Sequence, residues 1–230
     1  MSDAFTVRPF AFMRLTHEAI RVERAALLAH AEAFAAQPSA AGLDAVRASL
    51  EELKRGIALH ALQEEQGFFP LLDARFDAVA TQAGFFAEHE AEHARFDALD
   101  AAVAAAGDAS APAAASLLEA VRAWADANEA HLKHEEGIMM PLTQRVADTL
   151  EGRAAAVRGI IDAADAEATA AWQVGWVLSR LHAHRPFGKV RMYVAALEAT
   201  HAADLHRIQP AIQAALPPAM VAKLSELGHL

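Results

Sequence analysis

Between residues 50 and 71 the chain places Leu50, Leu53, Ile57, His60, Glu64, Gly67 and Leu71 at alternating intervals of three and four. That rhythm follows one face of an α-helix, where residues three or four apart lie over one another, and it does not fit the two-residue period of a strand. Three further segments repeat it. Phe10, Met13, His17, Ile20, Leu27 and Phe34 trace a first stripe, interrupted by Arg24. Phe86, His89, His93, Phe96 and Val103 trace another, and Val121, Trp124, Asn128, His131, Glu135, Ile138 and Leu142 the last. Short breaker-rich runs, "QPSAAG" (37–42), "TQAG" (81–84) and "AGDASAP" (106–112), separate the four. Long amphipathic helices with short connections predict an all-α fold: an up-down-up-down four-helix bundle over residues 1–152. Residues 153–230 carry weaker stripes, split at Pro186 and again at the Pro217–Pro218 pair. They are expected to form a C-terminal helical extension packed on the bundle through Trp172, Trp176 and Tyr193.

Composition removes several function classes. Lys and Arg number 20 against 30 Asp and Glu, with no basic cluster, which argues against a nucleic acid or an anionic membrane as partner. No cysteine is present, so thiolate catalysis, iron–sulfur clusters and thiolate zinc sites are excluded. The N-terminal segment lacks the design of a secretory leader, and no run approaches the length of a membrane span; a cytoplasmic address is the expectation. A homodimer is compatible with such a bundle.

The stripes hold an unusual set of polar residues: His17; His60 and Glu64; His89 and His93; His131 and Glu135. Burying one polar group unpaired costs about 2–7 kcal/mol, so seven would exceed a domain's whole stability of roughly 5–15 kcal/mol. Bound cations would compensate directly. Three of these pairs are four residues apart, a spacing that lets both side chains reach one site. Imidazole with carboxylate suits iron, manganese or zinc rather than calcium. One phrase is also duplicated: "HALQEEQGFFP" (60–70) and "HLKHEEGIMMP" (131–141) share His, Glu at +4 and +5, and Pro at +10.

These phrases, with "HEAEH" (89–93) and the lone His17, resemble the hemerythrin-like, or HHE cation-binding, family over about residues 10–145. The resemblance implies a centre of two non-haem Fe ions with an oxo or hydroxo bridge. His17, His60, His89, His93 and His131 would be terminal ligands and Glu64 and Glu135 bridges, with one position left for O2, H2O2 or NO. Oxygen-carrying members place the last carboxylate five residues after the histidine, here Glu136. Glu135 keeps the stripe and mirrors Glu64, so it is the expected ligand; Glu136 is expected to face solvent or stand behind the ligands, and Glu65 to face solvent. The implied function is O2 binding, storage or sensing. The alternative is a catalase-like enzyme that decomposes peroxide on the same centre. "HEAEH" also fits the H-E-x-x-H pattern of zinc hydrolases, with Glu90 as base. Glu90/His93 and Glu198/His201 fit the Glu-x-x-His of carboxylate-rich di-iron proteins. His30 and His134 are expected at the surface, and His182, His184, His201 and His206 at the surface or in packing.

Overall fold

A computed structural model describes residues 12–146, 167–201 and 205–230. The described residues are helical, with no strand among them. The long helices are α1 (Phe12–Ala36), α2 (Ala40–Gln63), α5 (Phe85–Ala105) and α6 (Ala111–Val146), with short α3 (Phe69–Arg75) and α4 (Val79–Ala83) between α2 and α5. Helix α1 packs on α2 and α6, and α5 packs on α6 and, more sparsely, on α2, so the four enclose one interior. Ser39 starts α2 by accepting a hydrogen bond from the Gly42 N–H at 3.1 Å, which satisfies one of the open amides of the first turn. Asp73 anchors α4, accepting from the Ala80 N–H at 2.6 Å and the Thr81 hydroxyl at 2.7 Å.

Beyond Gln63 the helix widens into a π-helical turn, Glu64–Phe68, before α3. Pro70 has no N–H to donate, and its ring crowds the preceding turn; a wider turn relieves that clash. The extra residue shifts the phase of the stripe. Phe68 and Leu72 are buried where the uninterrupted rhythm put Gly67 and Leu71 inside. Pro141 meets the same demand within α6, which runs on to Val146.

Helix α5 also faces inward with a different phase from the one expected. Its buried residues are Phe85, His89, Glu92, Phe96, Leu99 and Val103, a 4-3-4-3-4 rhythm, while Phe86 and His93 are exposed. Both phases pass through His89 and Phe96, so the sequence fits either. The sheltered positions go to Phe85, which packs against Phe69, and to Glu92, which finds buried donors.

The extension comprises α7 (Glu167–His184), α8 (Phe187–His201), α9 (Leu205–Ala215) and α10 (Pro218–Glu226). Helix α7 lies against α1, α2 and α9, and α8 against α1. Trp176 and Tyr193 are buried, as expected of packing residues, and Trp172 is half-buried. The Trp176 indole sits over Gly56 of α2, where an added Cβ would come within 2.8 Å of it. Beside this junction the buried Gln173 amide donates to the Gln63 side-chain carbonyl at 2.8 Å. Phe10, and the side chains of His201 and His206, lie outside the described residues. No described helix is long and apolar enough to cross a membrane.

Candidate metal centre

The start of α1, the end of α2, the start of α5 and the second half of α6 bring six of the seven expected side chains together. His17, His60, Glu64 and Glu135 offer donor atoms all within 4.8 Å of one another, and His89, His131 and Glu135 form a second such group. His17, Glu64 and Glu135 have no solvent exposure, and His60 and His89 have 2% and 4%. The rings pair edge to face, His17 with His60 at 4.8 Å between centroids and His89 with His131 at 5.0 Å.

The two carboxylates lie between these ring pairs. Glu64 Oε2 is 3.4 Å from His60 Nε2 and 3.5 Å from His89 Nε2. Glu135 Oε1 is 3.3 Å from Nε2 of both His89 and His131, and its Oε2 is 3.4 Å from His17 Nε2. Such separations are long for hydrogen bonds. They match the edges of a coordination shell: two ligand atoms each about 2.0–2.2 Å from one ion stand roughly 3.0–3.5 Å apart.

Among the described residues, His17 Nε2, both nitrogens of His60, His89 Nε2 and all four oxygens of Glu64 and Glu135 are buried without a hydrogen-bond partner. At about 1–3 kcal/mol each, eight such atoms would outweigh a typical domain's stability. Cations bound among them would satisfy all but His60 Nδ1, so the donor set fits a metal. The electrostatics favour positive charge at the same point. Burial pushes the His17 and His89 imidazoles down, but Glu135 and Glu64 outweigh it, with Glu136 also acting on His17. His17 ends well above its ordinary value and His89 at about 11. Burial raises Glu64 and Glu135, yet the facing imidazoles bring both below the ordinary carboxylate value. His60 goes the other way: burial, helped by the charge on His17, holds it well below 6.5 and keeps it a neutral donor.

Behind the cluster stands a ring of carboxylates that orient the imidazoles. Glu136 Oε1 lies 3.1 Å from His17 Nδ1, Glu65 Oε1 is 2.8 Å from His89 Nδ1, and Glu88 Oε2 is 2.7 Å from His131 Nδ1. A carboxylate on one ring nitrogen fixes the tautomer and aims the other nitrogen at the metal position. The duplicated Glu-Glu is thereby explained. In each copy the first glutamate enters the cluster and the second reaches across to a histidine of a neighbouring helix. Glu136 is itself held by Arg21 Nη1 at 2.7 Å; burial opposes ionisation, but His17 and Arg21 bring its carboxyl to about 2. Arg24, the apparent flaw in the α1 stripe, donates to Asn128 at 3.1 Å and Glu129 at 2.6 Å. Spacing signals neither Glu88 nor Glu92, because their roles depend on how α5 is rotated against α6.

His93, expected as the partner of His89, is the exception: it is exposed and stands outside both donor groups. Glu90 is exposed too, so the H-E-x-x-H residues face different sides of α5, and a zinc-hydrolase site is not assembled there. Glu198, from the carboxylate-rich alternative, is engaged instead by the Leu230 N–H and His229 Nδ1, each at 2.6 Å. His30 and His184 are exposed and His182 is half-buried. His134 is partly exposed and shares Glu88 with His131, its Nδ1 2.7 Å from Glu88 Oε1.

A cavity of about 180 Å³ adjoins the cluster. Its wall combines buried His60, His89 and Glu92 with exposed Ala58, His93 and Asp97, so it connects the cluster with the surface between α2 and α5.

Fold and donor set together define a helical cation-binding protein. The family described as Hemerythrin HHE cation binding domain matches residues 8–143, and the chain belongs to that family. No curated protein and no solved structure matches the chain.

Proposed function

We propose that this protein holds a pair of non-haem irons in the cluster and binds O2 or a related small ligand such as NO or H2O2 beside them. The donor-atom spacing carries this reading. Separations of 3.3–3.5 Å across two groups that share Glu135 suit two adjacent ions better than one. His17, His60, His89 and His131 would be terminal ligands and Glu64 and Glu135 bridges. An iron pair would supply reversible electron donation to the small ligand.

The protein's own part is positioning and exclusion. Glu65, Glu88 and Glu136 fix the rings, and Ile20, Ile57, Phe96 and Leu132 make the cavity wall apolar beside them. A water occupies about 30 Å³ of liquid, so the space suits ligands of a few heavy atoms. Elemental analysis with an optical spectrum of the aerobically purified protein tests the proposal. Two irons per chain and near-ultraviolet oxo-to-iron charge transfer are expected; a chain holding a single zinc, or haem bands, would overturn it. O2 release from H2O2 by the iron-loaded protein, set against a stable oxygenated spectrum, separates a peroxide-decomposing enzyme from a carrier.

A further inference from the structure

Glu92 is a buried carboxylate that the cluster does not use. It lies in the cavity wall with His60, His89 and His131, and its side chain is 6% exposed. Its Oε1 accepts from Trp124 Nε1 at 3.0 Å and from Asn128 Nδ2 at 3.2 Å, both buried neutral donors from α6. Arg24 holds the far side of Asn128, through Oδ1 at 3.1 Å. One oxygen is thus doubly anchored. Among the described residues the other, Oε2, has only a 3.4 Å contact with half-exposed Arg95. Burying a carboxylate on so little counter-charge is costly. Packing does not call for it, since the same stripe is filled by Phe96 and Leu99 one and two turns on.

We infer that Glu92 is the distal hydrogen-bond acceptor of the cavity and that it favours a protic ligand, hydrogen peroxide, over an aprotic one such as NO. This rests on the metal pair proposed above. Trp124 and Asn128 hold the carboxylate still, and Oε2 accepts the O–H of a peroxide lying between it and the cluster. NO has no proton to donate, so Glu92 gives it nothing.

The test is Glu92→Gln in the full-length, iron-loaded protein. With its carbonyl toward Trp124 and Asn128, glutamine keeps both anchor bonds, gives up the long Arg95 contact and turns the second oxygen into an N–H donor. Iron content and melting temperature should match wild type, which a structural role for the charge would not allow. Losing an acceptor of this kind should raise the H2O2 concentration that half-saturates the change in the iron spectrum roughly tenfold or more, while NO affinity, read the same way, stays unchanged. Glu92→Asp, which retains the carboxylate, should recover part of the lost peroxide affinity. An unchanged half-saturation in Glu92→Gln, or equal weakening of peroxide and NO, overturns the assignment. Wild-type protein without iron overturns the metal-pair proposal instead, and elemental analysis reveals that before any peroxide is added.

Discussion

Each imidazole of the cluster except His60 works through two nitrogens, one aimed at the metal position and one held by a glutamate. The supporting carboxylates should therefore matter to binding without being ligands. Glu65→Gln is expected to keep the fold and weaken metal affinity by about 10–100-fold, measured by competition with a chelator. His89→Ala should strip more metal than His93→Ala under the same elemental analysis, since His89 meets both Glu64 and Glu135 whereas His93 is exposed at the cavity wall. Equal losses would mean that His93 turns inward to ligate. Six of the cluster residues were legible because helical spacing is local: a histidine and a glutamate four apart declare their shared face without reference to any neighbour. Glu65, Glu88 and Glu92 were not, because whether a polar residue beside the stripe meets water or a partner depends on the rotation of a second helix.

At the scale of elements, small phase changes decide what is inside. The π turn at Glu64–Phe68 moves Phe68 and Leu72 into the core, and α5 chooses the register of Phe85 and Glu92 over that of Phe86 and His93. The all-helical architecture was readable from repeated stripes and breaks. The π turn was signalled only indirectly, by Pro70. The junction of α2 with α7 had no signature, because an ordinary glycine in a helix gives no hint that an indole covers it. Alanine at Gly56 would gain about 1 kcal/mol of helix propensity. Its Cβ would also meet the rigid Trp176 ring at 2.8 Å, and overpacking of that kind costs roughly 1–3 kcal/mol. The clash should prevail: Gly56→Ala is expected to melt earlier than wild type with its metal content intact. A higher melting temperature would show that α7 yields at this contact.

Across the whole molecule the extension is tied to the bundle by ion pairs as well as by tryptophan. Glu18 of α1 receives Arg185 Nε at 2.6 Å and Lys189 Nζ at 2.9 Å. Burial raises the Glu18 carboxyl, but Lys189 and Arg185 outweigh it and bring it below 4.5. A depressed folded value stabilises the protein above the unfolded value, and the contribution is lost as pH falls through the folded one. Glu18→Gln should therefore melt below wild type at neutral pH, with the gap closing in acid below the ordinary glutamate range. A gap that persists there would assign the loss to packing. From sequence the extension could be expected to dock through its aromatic residues, which are buried wherever they land. Where it docks depends on surfaces created only once α1 and α2 have paired.

Of the four cluster imidazoles only His60 has an Nδ1 with no partner among the described residues, so packing alone restrains that side of its ring. The two halves of the centre are consequently unequal in grip. If the centre holds the proposed pair of ions, dialysis against a mild chelator should release the one on the His60 side first and leave a single ion gripped by His89 and His131.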